Sequence, residues 1–192
     1  MTLSRVGPDG PLRSAGVTTR PAARPARADD PFASELDANA TYAETFSLAG
    51  LEPVAARGLA VVTCMDSRIE PLEMLGLQPG DAKILRNAGA RVTDDVLRTL
   101  VLAVYLLGVD RVLVVPHLRC RMSATDEATM HQEIFDASGV DTRSLELRPA
   151  PDVVASLRAD IQRIRSSPYL PGALAVGGAI YDVDTGRLQR VV

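Results

Sequence analysis

Apolar residues fall into distinct patterns along this chain, and each pattern predicts a different element. The first is a short unbroken run: LAVVTC at 59–64, AKILRNA at 82–88 and RVLVVPH at 111–117, the first bounded by Gly58 and by a polar loop. Runs this short and this apolar predict strands buried on both faces. The second is a helical repeat. TDDVLRTLVLAVYLLG at 93–108 sets Leu97, Leu100, Val101 and Val104 on one face, with Thr93 able to cap the helix, Asp94 and Asp95 at its positive end and Gly108 at its stop. SATDEATMHQEIFDASG at 123–139 predicts a helix ending near Gly139, and PDVVASLRADIQRIRSSP at 151–168 predicts another with Val154, Leu157, Ile161 and Ile164 as its stripe. ALAVGGAIYDVDTGRLQRVV at 173–192 predicts a strand, a turn at Asp184 to Gly186 and a short further strand. DPFASELDANATYAETFSLAG at 30–50 has scattered apolar positions, Phe32, Leu36, Tyr42 and Phe46, which suit one or two helices packing on a body or a partner subunit.

Strand, helix, strand at this spacing is a parallel crossover unit. The expected fold is therefore α/β, a mostly parallel central sheet flanked by helices, in a single domain over 31–192. Residues 1–30 carry prolines and arginines without apolar periodicity and are expected to be a disordered tail. In parallel sheets ligands gather beyond the carboxyl ends of the strands. Cys64 ends the first expected strand, and His117 and Cys120 close and follow the third.

Composition narrows the function classes. The chain has 192 residues, of which 46% are hydrophobic, and its net charge is −3. An acidic balance argues against nucleic-acid binding, which needs a basic face. Runs such as LVLAVYLLGV at 100–109 are far shorter than the roughly eighteen residues of a membrane span. The opening residues lack the charged-then-apolar pattern of a secretory leader, so the cytoplasm is the expected location. Two cysteines make no disulfide framework, which leaves metal ligation or a catalytic thiol as their competing explanation.

Two thiolates and an imidazole are a ligand set that zinc favours, and three protein ligands leave a fourth position open, as catalytic sites do. Each residue alone has a plainer reading: Cys64 as a small hydrophobe at a strand end, His117 as a loop hydrogen-bonder, Cys120 as a spare thiol. Their joint placement at one rim of the sheet is what favours a metal.

Cys64-Met-Asp66-Ser-Arg68, RNAGA at 86–90 and His117-x-x-Cys120 together resemble the β-class carbonic anhydrases, most closely the short actinobacterial-type members. The resemblance runs from about Tyr42 to the C-terminal YDVDTGRL. It implies that Cys64, His117 and Cys120 ligate zinc and that Asp66 and Arg68 are the acid and base pair beside the metal. It also implies reversible hydration of carbon dioxide to bicarbonate by a zinc-bound hydroxide, whose parent water has its pKa lowered to about 7. Asp66 then orients the water and Arg68 holds Asp66 by a bidentate pair; if Arg68 lets go, Asp66 can take the fourth zinc position in a closed state. Outside that setting Asp66 and Arg68 would be a surface ion pair. By the same resemblance Gly89 permits close approach of the RNAGA loop to the metal rim, and the protein is a homodimer or a multiple of one.

The chain departs from the family at PHLRCRM, 116–122, where glycines usually flank the second ligand pair. Pro116 and Arg121 replace them, and Arg119 stands where an aspartate is frequent. Arg121 either crowds the loop, or brings a fixed positive charge toward the metal, or points to solvent. Two alternatives follow: hydrolysis of carbonyl sulfide or carbon disulfide at the same site, or a zinc-stabilised regulatory protein that senses an anion through Arg119 and Arg121. His131-Gln-Glu133 lacks the partner cysteines of a zinc deaminase. DVDTG at 182–186 lacks the ligand spacing of a calcium loop and is expected to be a hairpin turn.

Overall fold

In a computed structural model the described residues are 30–192, so the expected N-terminal tail lies almost wholly outside them. The chain divides into two compact units, one ending at Ser47 and one spanning Leu48–Val192. Among the described residues of the first, one helix forms, α1 (Ala33–Glu44), and Phe32, Leu36, Tyr42 and Phe46 are all exposed. Tyr42 and Phe46, one helical turn apart, meet edge to face at 5.6 Å.

The second unit is built on a five-stranded sheet. Its strands are β1 (Leu59–Cys64), β2 (Ala82–Asn87), β3 (Arg111–Val115), β4 (Ala175–Asp182) and β5 (Arg187–Arg190), in the order β2-β1-β3-β4-β5. All neighbours are parallel except β4 and β5, which form the expected hairpin. A short helix, α2 (Pro71–Met74), follows β1, and the longer helices are α3 (Asp94–Leu106), α4 (Glu127–Ser138) and α5 (Val153–Arg165). The chain leaves β1 for β2 on one side and then crosses by α3 to β3 on the other. That reversal at β1 opens a crevice beyond the carboxyl ends of β1 and β3.

Burial follows the apolar runs unevenly. In β1, Ala60 to Thr63 are fully buried, as expected for a central strand. β2, which carries Lys83 and Arg86 and has a neighbour on one side alone, is only partly buried, with Arg86 exposed. β3 ends at Val115, before Pro116, which has no N–H for a ladder; His117 keeps a single bridge to Tyr181. On α3 the deepest stripe is Val96, Leu100 and Ala103, with Leu97, Val101 and Val104 packed beside it, a rotation of about one residue from the expected face. The expected cap at Thr93 forms, accepting from the Val96 N–H, and two more caps appear, Asp126 accepting from the Thr129 N–H and Asp152 from the Ala155 N–H.

Leu157 and Ile161 of α5 lie directly on β4 at Gly178. A Cβ there would fall 2.5 Å from Ile161 Cδ1, so only glycine lets this helix and strand meet so closely. That contact brings α5, and Asp160 on it, close to the end of the sheet where the cysteines lie.

Candidate metal centre

The site begins where β1 runs out of partners. Cys64 is the last residue in register with β2, opposite Asn87, and its sulfur is buried with Cys120, Ile69, Met74 and Met122 around it. The loop after β1 is anchored by Ile69, fully buried, whose N–H donates to the Asp66 carbonyl. Arg86 holds the same turn from β2: its Nε donates to the Cys64 carbonyl at 3.0 Å and its Nη2 to the Asp66 carbonyl at 2.7 Å.

His117 is fixed on both sides by Tyr181, whose N–H donates to the Pro116 carbonyl and whose carbonyl accepts from the Leu118 N–H. Its ring is 1% exposed. Nδ1 lies 2.9 Å from the Leu118 carbonyl, which can only accept, so Nδ1 is the donor there and Nε2 is the nitrogen turned toward the sulfurs. Nε2 is buried and has no hydrogen-bond partner. Leaving such a group unmade costs about 1–3 kcal/mol, and ligation to a metal would satisfy it.

The donor atoms of Cys64, His117 and Cys120 all lie within 4.8 Å of one another. The two sulfurs are 3.8 Å apart, too far for a disulfide. Two thiolates at about 2.3 Å from a tetrahedral zinc stand about 3.8 Å apart, so the spacing fits that ion. The charge state fits as well. The hydrogen bond from Cys120 brings the Cys64 thiol down to about 4, helped by the N–H groups of Gly89 and Asp66. Cys120 is pushed up by the same contact and by burial, against the pull of the Met122 N–H. The pair thus holds one negative charge readily, and a cation is what would let both sulfurs ionise.

Asp66 and Arg68 stand at the open side. Arg68 Nε donates to Asp66 Oδ1 at 2.9 Å and Nη2 to Oδ2 at 2.8 Å, and the Arg68 backbone N–H adds a third bond at 3.0 Å. This clamp holds the Asp66 carboxyl well below the usual carboxylate range. Oδ2 is 3.7 Å from His117 Nε2, so the carboxylate faces the three donor atoms. Arg68 Nη2 also reaches the Arg119 carbonyl at 3.3 Å, tying the two loops together.

The remaining sequence motifs resolve simply. Arg119 pairs with Asp184 and Arg121 with Glu133, so both guanidinium groups already face carboxylates. His131 meets Thr142 on the far side of α4. DVDTG is a turn in which Asp182 accepts from the Asp184 N–H and the Thr185 hydroxyl. Gly89, at φ 77°, brings its N–H to 3.4 Å from Cys64 Sγ, the close approach expected of it. Arg86 was not singled out from the sequence; a lone arginine at the end of an apolar strand was its signal.

Comparison with known proteins agrees with the geometry. A family model described as Carbonic anhydrase matches residues 59–188. Beta-carbonic anhydrase 1 of Mycobacterium tuberculosis is 34% identical over 164 residues, covering 85% of this chain and 96% of that protein. The crystal structure of a carbonic anhydrase from Streptococcus mutans superposes with a TM-score of 0.81 at 38% identity, covering 86% of this chain and all of that one. A carbon disulfide hydrolase of an Acidianus strain is 31% identical over 161 residues, covering 70% of this chain and 77% of that protein.

Proposed function

Since this chain belongs to the carbonic anhydrase family, in its β class, we propose that it catalyses the reversible hydration of carbon dioxide to bicarbonate with a zinc ion held by Cys64, His117 and Cys120. The observation that carries the reading is the buried, unpartnered Nε2 of His117, set within ligand distance of two sulfurs whose spacing suits zinc. Zinc bound there would supply a Lewis acid that makes water a nucleophile near neutral pH.

The protein's own groups account for the rest. Asp66 stays ionised under its three bonds from Arg68, so it can only accept. A water beside it must therefore turn a proton toward Oδ2, which leaves a lone pair free for carbon dioxide. Arg68 is the group that keeps Asp66 in that duty; its release would free the carboxylate to become a fourth ligand. Ile69, Met74, Met122 and Val183 give the site apolar walls, which suit an uncharged linear substrate.

The exposed apolar residues of α1 support a homodimer or higher even oligomer, in which a second copy would cover them. Two free thiols 3.8 Å apart need a reducing compartment, which supports the cytoplasm. Among the described residues no helix is long and apolar enough to cross a membrane.

Hydrolysis of carbon disulfide or carbonyl sulfide at the same centre is the second reading, supported by the carbon disulfide hydrolase relative. The anion-sensing alternative loses its motive, because Arg119 and Arg121 each have a carboxylate partner. Turnover of the zinc-loaded protein on carbon dioxide and on the two sulfur substrates, measured side by side, is the test. Carbon dioxide should be the faster by orders of magnitude; the reverse order would assign the protein to the second reading.

A further inference from the structure

Away from the donor atoms, one buried ion pair remains that neither the core nor the proposed chemistry uses. Arg91 follows the 3-10 turn Ala88–Ala90, and Asp160 sits on α5 at 4% exposure. Arg91 Nε donates to Asp160 Oδ2 at 2.7 Å, and Nη1 donates to the Arg148 and Pro149 carbonyls, each at 3.0 Å. One guanidinium thus joins the turn after β2, the helix α5 and the segment before it.

Both loops that it holds end at a cysteine sulfur. On the first side, the Arg91 N–H donates to Asn87 Oδ1 at 2.8 Å and Asn87 Nδ2 donates back to the Arg91 carbonyl at 2.7 Å. These bonds close a turn in which Gly89 and Ala90 both have positive φ, and Gly89 sends its N–H to Cys64. Ala90, at φ 58° and 1% exposed, is held in the left-handed region that a residue with a Cβ adopts only against steric strain, so firm neighbours must sustain it. On the second side, the segment whose carbonyls Arg91 grips continues into Ala150, whose N–H donates to the Met122 carbonyl at 2.7 Å. Met122, two residues after Cys120, packs against the cluster of both cysteines and Ile69. The two turns touch, since a Cβ on Gly89 would lie 3.2 Å from Met122 Cβ.

We propose that Arg91 and Asp160 are positioning residues that aim the Gly89 N–H at the Cys64 sulfur and hold the adjoining turn of Met122 beside Cys120, and so set how the two sulfurs are presented to a metal. The proposal rests on the reading of Cys64 and Cys120 as metal ligands. A buried ion pair adds little net stability compared with apolar residues of the same size, so geometry is the better account of what this one does. Hydrogen bonds to ligand sulfurs withdraw electron density from them, and groups around metal ligands are worth about 10–100-fold in metal affinity.

The experiment is cobalt(II) substitution, read by the sulfur-to-metal charge-transfer bands, with zinc affinity measured by chelator competition. In the parent protein the bands should be present and should weaken in Cys64→Ser; their absence would refute the ligand reading and this inference with it. Arg91→Met should move the bands to lower energy, because the Cys64 sulfur loses a hydrogen bond, and should weaken zinc binding by about 10–100-fold, because the two loops no longer hold the sulfurs in place. Asp160→Asn, nearly isosteric, should do the same in smaller measure and serves if Arg91→Met does not fold. The double variant should add little to Arg91→Met alone. Parent-like bands and zinc affinity in variants whose melting temperature has fallen would overturn the proposal while leaving the ligand reading intact.

Discussion

At Asp66 one carboxylate receives three hydrogen bonds from a single arginine and still turns Oδ2 toward His117. On the proposed reading that arrangement would separate holding the metal from orienting the water, and substitutions should separate them too. Asp66→Ala should keep its zinc and lose about 10²–10⁴-fold in carbon dioxide hydration, checked by metal analysis and initial rates on the same sample. Cys64→Ser and His117→Ala should instead emerge from purification with little zinc, because each removes a donor from a set of three. A Cys64→Ser variant with full zinc would remove that cysteine from the ligand set. That Cys64, His117 and Cys120 meet at one rim and that Arg68 grips Asp66 were legible in sequence, because the motif spacing and the strand ends place them there. Arg91 and Asp160 were not: 69 residues separate them, and an arginine after a glycine turn has no local signature of a partner on a distant helix.

The elements carry the site through a few close contacts. Gly178→Val should be destabilising by about 1–3 kcal/mol, read as a lower urea midpoint, because its side chain would push against Ile161 and Leu157. The cap of α3 should matter less: Thr93→Ala is expected to cost about 1 kcal/mol, since Val96 N–H would lose its acceptor. Helix ends were readable where the chemistry is local, as at the Thr93 cap and the Gly139 stop, whereas the Asp126 and Asp152 caps were not singled out. Burial was less readable. β1 and β2 were both read as strands buried on both faces, yet only β1 has a neighbour on each side; Lys83 and Arg86 were the signal in β2, and strand order is not written in either segment. α2, a single turn, was too short to give a period.

For the whole molecule, the first expectation concerns assembly. Sedimentation equilibrium should give at least a dimer, and Leu36→Asp with Tyr42→Asp should shift it toward monomer, because both side chains are exposed apolar surface on α1. A monomer at all concentrations in the parent would leave that surface without its proposed partner. The central claim is chemical, and stopped-flow hydration of carbon dioxide, normalised to bound zinc, tests it most directly. The account predicts a rate far above the buffer reaction that is lost on chelation and restored by adding zinc back. A fully zinc-loaded protein that hydrates carbon dioxide no faster than buffer would contradict it.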